Sequence, residues 1–426
     1  MTVVGVSSRS ADLLAQRRDR AWRPGDIADL GVVTFSHAVQ HVYVAALALT
    51  YPFVVADFGI SYGTLGILLG AAGVVGGVLQ AAAGMVRRMS ARVLLTAQNL
   101  GLAVAALLGA LSPGFAAFSA ARMVGAFTSW PQHPVGSAYL TGRFPDRRGL
   151  VLSWHTTGGS IGTLAVPVLA GVLIAHVGWR WSLAIFALAM AISGVLVMAG
   201  LRGTRSGAGS EDAVAGESAG DDDHAPTLRL RTVLLRRTVV AALLASTIAA
   251  AGRGLGALTA YVPAYLKSGL HLTPVQVGVV FTVLVTGSVV GPVAAGLLSD
   301  RLDRRAVLLT VFLVGAAALA AFVLVGASVP ALIAVGLLVG VFAYAESPLL
   351  QSLFSDGVQG ANVRTAFGLY FAIAYGVGSL WLTALGAIID HAGFRTAFFV
   401  MAGSFVVAGA VVLLARPDRP SPQTQP

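Results

Sequence analysis

Cysteine is absent from the 426 residues, lysine occurs once, and charged residues of all kinds make up only 11% of the sequence. Without cysteine the chain can form no disulfide, no iron–sulfur cluster and no thiol nucleophile. The single lysine, Lys267, follows Leu266, which excludes a Gly-Lys-Ser/Thr phosphate-binding loop and an ATPase site of that kind. So little charge beside 56% hydrophobic residues also excludes one soluble domain of this length.

Long apolar runs dominate what is present. Twelve of them, each of roughly 19 to 29 residues, have the length that an α-helix needs to cross about 30 Å of hydrocarbon. They cover residues 31 to 56, 62 to 86, 93 to 111, 114 to 142, 149 to 175, 180 to 201, 238 to 264, 274 to 298, 306 to 326, 329 to 354, 364 to 389 and 395 to 415. The sequence therefore predicts an all-α integral membrane protein with twelve transmembrane helices.

Basic residues are distributed unevenly between the predicted loops. With the N-terminus placed in the cytoplasm, 23 of the 28 basic residues lie on the cytoplasmic side, three lie outside, and two lie within helices. This asymmetry follows the positive-inside rule. We therefore predict an inner (plasma) membrane protein with cytoplasmic segments at residues 1 to 30, 202 to 237 and 416 to 426. The net charge of +10 is then a topology signal, and no nucleic-acid partner is expected.

Three short motifs occur twice, at nearly constant spacing. GMVRRMSAR at 84 to 92 corresponds to GLLSDRLDRR at 296 to 305, VGAF at 124 to VGVF at 339, and GWR at 178 to GFR at 393. A repeat of this length is typical of transporters built from two similar halves. The sequence thus predicts two pseudo-symmetric six-helix bundles, over 31 to 201 and 238 to 415.

GLLSDRLDRR resembles the loop between helices 2 and 3, repeated between helices 8 and 9, of the major facilitator superfamily. The resemblance implies two six-helix bundles around a central cavity, and a loop that latches the bundles through Gly296, Asp300, Arg301, Arg304 and Arg305. We expect Gly296 to permit a close helix contact, and Asp300 to cap the next helix or to pair with one of the three arginines. QHPVGSA followed by GGSIGT is similar to the fosmidomycin-resistance branch of the superfamily.

The titratable groups within the predicted helices fall on helices 1, 4, 5, 7 and 10. They are His37, His41, Arg122, His133, His155, Arg253 and Glu346. In the resembling family, helices 1, 4, 7 and 10 line the translocation path. The predicted substrate cavity consists of these groups except His155, together with Gln40, which shares a helix face with His37 and His41. Glu346, His133 and His155 are the predicted proton carriers. The alternative is that each charge pairs with another to hold the bundles together.

Two local features of these helices carry further predictions. Pro131 and Pro134 should break or kink helix 4 around His133, which is tolerated only at a cavity or in the protein interior. His37 and His41 have the spacing of a metal-binding pair, but the sequence offers no visible third ligand. We therefore expect no metal and no other cofactor.

These observations predict a secondary active transporter that works by alternating access, as a monomer in the lipid bilayer. Two arginines and one acid leave the cavity net positive, which suits a small anionic or zwitterionic organic substrate. Proton coupling and efflux of a drug or metabolite are expected, with uptake of a carboxylate as the alternative. A non-transporting membrane receptor is the rival of another class. No enzymatic activity is expected, because no nucleophile–base set is visible.

Overall fold

The computed structural model describes residues 24–82, 89–201, 233–358 and 363–414. In this part of the chain the secondary structure is helical throughout. The helices are α1 Pro24–Phe58, α2 Tyr62–Ala81, α3 Ala91–Ala110, α4 Phe115–Thr128, α5 Ser137–Arg143, α6 Arg148–Gly200, α7 Arg237–Ala249, α8 Thr259–Ala264, α9 Pro274–Ser299, α10 Arg304–Leu324, α11 Val329–Gly357, α12 Val363–Phe371 and α13 Leu380–Leu414. Residues 84–88 of the first copy of the charged loop, most of the predicted linker, most of the N-terminal tail and the C-terminal tail lie outside the described residues.

Twelve membrane-crossing segments can be traced in these helices. Nine described helices are long and apolar enough to cross a membrane. Two of them each contain two helices, which meet at Gly178 (φ 80°, ψ 166°) and at Gly393 (φ 78°, ψ 168°). The interrupted pair α4 and α5 supplies the remaining segment. The two glycines come from the repeated GWR and GFR motifs and share one backbone conformation, which glycine adopts readily. The predicted all-helical membrane fold is confirmed, and the shared glycine conformation supports the predicted internal repeat.

Three segments are interrupted, and the interruptions position the polar side chains of the site. α4 ends at Thr128, and a π-helical turn over Gln132–Gly136 follows Pro131, as the two prolines predict. The segment that begins with α7 leaves helical geometry at Gly256 (φ 147°, ψ −106°) before α8. The third interrupted segment has a π-helical turn, Ala372–Gly376, between α12 and α13. Such turns are frequent at functional sites in helical proteins.

Small residues bring the two halves of the molecule into close contact. On α2, a Cβ added at Gly70 or Gly73 would collide with Thr383 or Ser379 of the opposite half. Ser379 and Thr383 also donate hydrogen bonds to the α2 carbonyls of Gly70 and Gly66, at 3.1 and 3.0 Å. Close helix approach through glycine is the usual packing mode in membranes, where no hydrophobic effect drives helices together.

Asp390 joins the two halves at one end of this contact. Its carboxylate accepts hydrogen bonds from the backbone N–H groups of Tyr62 (2.8 Å) and Gly63 (2.7 Å), in the first turn of α2. The Tyr62 hydroxyl donates to Ser268 of the other half at 2.8 Å. An anion at a helix N-terminus satisfies free N–H groups and interacts favourably with the helix dipole. Asp390 had no predicted role, because the sequence shows only an acid near a segment end.

Asp390→Asn should loosen this end of the molecule. The amide keeps one acceptor oxygen, turns a donor toward a second donor, and loses the charge at the helix terminus. A hydrogen bond to a charged group is worth about 1.5–3 kcal/mol, so the ratio of open to closed forms should rise about tenfold or more.

Because the chain has no cysteine, spin labels at Thr64→Cys and His391→Cys can report the separation in liposomes by pulsed electron resonance. Asp57→Asn, which removes an acid at the same end that pairs with Arg180 within one half, is the control. Identical distance distributions in wild type and Asp390→Asn would reject this role.

In the charged loop between α9 and α10, the side chains have other partners than those predicted. Asp303, and not Asp300, caps α10, since its carboxylate accepts from the N–H of Ala306 at 2.9 Å. Arg304 pairs with Asp356 at the end of α11 rather than with Asp300. The physical reason is register: Asp303 directly precedes the first helical residue, whereas Asp300 ends α9 and is exposed.

The predicted packing role of Gly296 is also wrong. A Cβ added there would meet nothing within 4 Å, whereas Gly287 and Gly291 of the same helix lie directly against Gly340 and Val341 of α11. The close contact is thus placed deeper in the membrane than the loop. The latch role of Gly296, Asp300, Arg301, Arg304 and Arg305 stays a prediction.

Candidate functional site

A cavity of about 250 Å³ lies between the two halves of the molecule. It is lined by small residues and by a few polar and charged side chains. From the first half these include Gly73, Gly76, Gln80, Arg122 and Ser129, and from the second half Arg253, Gly256, Tyr375, Gly378 and Ser379. Each half therefore contributes one arginine to the same space.

Arg122 projects from α4 toward two tyrosines of α1. The hydroxyls of Tyr43 and Tyr51 lie next to its guanidinium group. Gly125, one turn along α4, leaves the space that the Tyr43 hydroxyl occupies. The Nε atom of Arg122 has no hydrogen-bond partner, and no ion pair joins Arg122 to an acid in the described part of the chain. Its charge is thus available to an anion in the cavity.

Arg253, by contrast, is held by several partners. Its Nε donates to Glu346 Oε1 at 2.5 Å, its Nη1 to the carbonyl of Ala374 at 3.1 Å, and its Nη2 to the carbonyl and hydroxyl of Ser246, both at 2.7 Å. The guanidinium carbon also lies 4.7 Å from the ring centroid of Tyr375. The break after α7 allows this geometry, because the chain leaves helical conformation directly beyond Arg253.

Glu346 is fully buried, and only one of its two carboxylate oxygens is bonded. Arg253 and Glu346 have exposed side-chain fractions of 4% and 0%. Oε2 of Glu346 has no hydrogen-bond partner among the described residues. A buried carboxylate with a free oxygen is costly unless it is ionised beside its cation or takes up a proton. The structure shows the ion-paired arrangement, with Glu346 bonded through Oε1.

The four predicted histidines lie together within the first half. The His37 ring stacks on His155 at 4.1 Å between centroids, and lies 4.8 Å from His41 and 4.9 Å from His133 in edge contacts. Gln40, on the same helix face, donates to the carbonyl of Ser129 at 2.9 Å. The predicted set thus divides into this histidine cluster and the two arginines with Glu346.

A buried polar network beside the histidines was not predicted. Ser36 and Gln98 both donate to Gln132 Oε1 at 2.8 Å, and Asn99 donates to Ser36 at 2.7 Å. These four side chains are at most 1% exposed. The signal was the adjacent Gln98 and Asn99 in the middle of an apolar run, which a search for titratable residues passes over. The network ties α1, α3 and the π-helical turn after α4 into a rigid wall, because buried polar groups in a membrane need partners.

The cavity lies between the two halves of the molecule and is lined by two arginines. Membrane proteins with this architecture form the class of alternating-access carriers. The chain belongs to the Major Facilitator Superfamily, whose sequence pattern matches residues 33–273 and 243–426. It is a multi-pass membrane transporter of that family and not an enzyme.

Curated relatives include Monocarboxylate transporter 13 of Bos taurus, 27% identical over 288 residues, and the Rattus norvegicus protein of the same name, 28% identical over 288 residues. Each match covers 66% of this chain and 62% of the relative. Among solved structures, a bacterial homolog of the human lysosomal transporter Spinster, inward-facing and unoccupied, matches with a TM-score of 0.70 at 13% identity, over 93% of this chain and 96% of that chain. A D-xylose–proton symporter matches with a TM-score of 0.69 at 16% identity, over 92% and 98%.

Proposed function

We propose that the protein moves a small organic anion, a carboxylate in the first instance, across the membrane by alternating access, and that Glu346 takes up and releases the coupled proton. The observation that carries this proposal is the unequal pairing of the two cavity arginines. Arg253 has an acid partner, whereas Arg122 has none in the described part of the chain. An anionic substrate would supply the missing partner through charge-assisted hydrogen bonds.

The carboxylate class is also supported by the curated relatives, which are named as monocarboxylate transporters. A cavity of about 250 Å³ is of a size for a small metabolite. The hydroxyls of Tyr43 and Tyr51 beside Arg122 would donate to the same carboxylate. Zwitterionic substrates, predicted from the sequence together with anions, would place their carboxylate at the same position.

Competition for Arg253 provides a coupling mechanism. A substrate carboxylate that reaches Arg253 weakens the Arg253–Glu346 ion pair, and a buried acid without its cation favours the protonated form. Proton and substrate would then be bound together, which favours symport. Antiport with efflux, the direction predicted from the sequence, remains the alternative. His133 and His155 are the other proposed proton carriers if Glu346 is not the one.

The orientation follows from the basic residues. We propose that the Tyr62–Asp390 end of the molecule is extracellular, so that the contact described above closes the cavity on the outside. The hydrogen bonds found between the two halves, in the described residues, involve the stretch of α2 from Tyr62 to Gly70. The cavity would then open toward the cytoplasm. We propose that the protein transports its substrate as a monomer, since each chain encloses its own cavity.

Reporter fusions test this orientation. An alkaline phosphatase reporter, active only outside the cytoplasm, should be inactive when fused at Gly209 or at Ser421, both in segments with a strong excess of arginine on their side of the membrane. A fusion after Pro113, in the turn between α3 and α4, is the positive control. Activity at either of the first two positions would overturn the orientation.

Transport by the purified protein in liposomes tests the function itself. The panel should contain monocarboxylates, phosphonates, a zwitterionic amino acid and a neutral sugar, with a pH gradient imposed in either direction. We expect saturable transport of an anion that rises with the gradient, inward with the protons in the case of symport and against them in the case of antiport. Transport of the neutral sugar alone would contradict the proposal.

A further inference from the structure

The histidine cluster lies apart from the residues that line the cavity between the two halves. His37 and His41 lie one turn apart on α1, and His133 approaches them from the π-helical turn after α4. One nitrogen from each ring can be chosen such that all three lie within 4.8 Å of one another. The third ligand that the sequence did not reveal is thus supplied by a residue about a hundred positions away in the chain.

The hydrogen bonds of His37 fix which of its nitrogens is free. Nδ1 lies 2.7 Å from the carbonyl oxygen of His155. A carbonyl can only accept, so Nδ1 carries the proton and Nε2 holds a lone pair. Nε2 is buried and has no hydrogen-bond partner among the described residues, and the residue as a whole is only 4% exposed. An imidazole in this state has the form of a metal ligand with its outer partner already in place.

His41 is held in the same way by Thr163. Its Nδ1 lies 2.8 Å from the Thr163 hydroxyl oxygen, and that hydroxyl donates to the carbonyl of Gly159 at 3.0 Å. Because the hydroxyl proton is used, the oxygen accepts from Nδ1–H, and Nε2 of His41 also holds a lone pair. Gly159 faces both rings: a Cβ there would lie 2.8 Å from His37 Cε1 and 3.0 Å from His41 Nε2. The absence of a side chain at 159 makes room for the two imidazoles.

We propose that His37, His41 and His133 form a binding site for a divalent transition-metal ion of the Zn²⁺ class. Imidazole nitrogens suit Zn²⁺, Cu²⁺ and Ni²⁺, and three protein ligands leave a fourth position for water or an anion. Tetrahedral Zn²⁺ with Zn–N bonds of about 2.0–2.1 Å needs nitrogens roughly 3.3 Å apart. The ligand nitrogens lie within 4.8 Å of one another. A rotation of the exposed His133 ring toward His37 and His41 would shorten this separation to the distance that the metal needs.

Metal binding by the full-length, untagged protein in detergent tests the site. Titration with Zn²⁺ should give one ion per chain, and Co²⁺ should give the strong visible absorption of a tetrahedral site. His41→Ala and His133→Ala should each weaken Zn²⁺ binding by about 100-fold or more, beyond the 10–100-fold that loss of an outer partner costs. His176→Ala is the matched control, because His176 is exposed on α6 and its Nδ1 bonds to the carbonyl of Val172 on the same helix.

Thr163 gives a second test that does not remove a ligand. Thr163→Val keeps the shape and removes the acceptor for His41 Nδ1–H, so Zn²⁺ affinity should fall by about 10–100-fold. Thr163→Ser should restore it. Absence of stoichiometric binding in the wild type, binding that survives the loss of all three histidines, or equal affinity in Thr163→Val and Thr163→Ser would each overturn the proposal. Substrate transport plays no part in these readouts, so the site stands or falls separately from the proposed function.

Discussion

Replacing Glu346 by glutamine is expected to abolish accumulation of substrate driven by a pH gradient, while exchange between equal compartments continues. The amide can still accept from Arg253 Nε, which keeps the buried geometry. It cannot take up or release a proton, so the gradient no longer does work on the substrate. One pH unit is worth about 1.4 kcal/mol for each coupled proton, about tenfold in accumulation, and this factor should disappear.

The control for this variant is Asp57→Asn, which removes an acid that pairs with Arg180 outside the cavity. It should retain gradient-driven accumulation. Both variants are measured in liposomes with a labelled substrate, first under a pH gradient and then as counterflow without one. Full accumulation by Glu346→Gln would show that the carrier is elsewhere, and His133 and His155 would be tested next.

Arg122→Gln is expected to weaken substrate binding by at least about 30-fold, because loss of a charged hydrogen-bonding partner in a buried site costs about 2–5 kcal/mol. Arg122→Lys should lie between this variant and the wild type, since lysine keeps the charge but not the planar fork that matches a carboxylate. Binding is measured by titration of the purified protein, which separates affinity from turnover.

Arg395→Gln is the matched control, because Arg395 is exposed and packs over Phe399 at 5.8 Å, away from the residues that line the cavity. Its substrate affinity should equal that of the wild type. Equal affinities in Arg122→Gln and the wild type would assign Arg122 a structural role beside Tyr43 and Tyr51.

The fold was predictable from the sequence because the membrane imposes strong rules. A helix must be long and apolar to cross, so most helix ends lie close to the predicted ones, although α1 begins at Pro24 rather than at residue 31. The duplicated GWR and GFR motifs also proved to mark the same backbone turn, at Gly178 and Gly393. Residues 84–88 of the first charged loop lie outside the described part of the chain, so that part of the repeat stays a prediction.

The pairing of side chains was less predictable, because it depends on helix rotation and register. Arg253 and Glu346 were recognised as buried charges, but their direct contact needed the break after α7, for which Gly254 and Gly256 were the available signal. Asp390 and the helix that it caps are more than 300 residues apart in sequence, and nothing local indicates that contact. The place of His133 in the histidine cluster was equally hidden, because it depends on the π-helical turn that follows Pro131.

Proton movement during substrate transport tests the central claim most directly. Liposomes that contain the protein and a pH-sensitive dye, with no initial pH gradient, receive the transported anion on one side, and the internal pH is followed together with the uptake of label. The account predicts proton movement into the liposome with the anion, at a fixed ratio, which is lost in Glu346→Gln while anion exchange persists. Anion transport with no accompanying pH change in the wild type would contradict it.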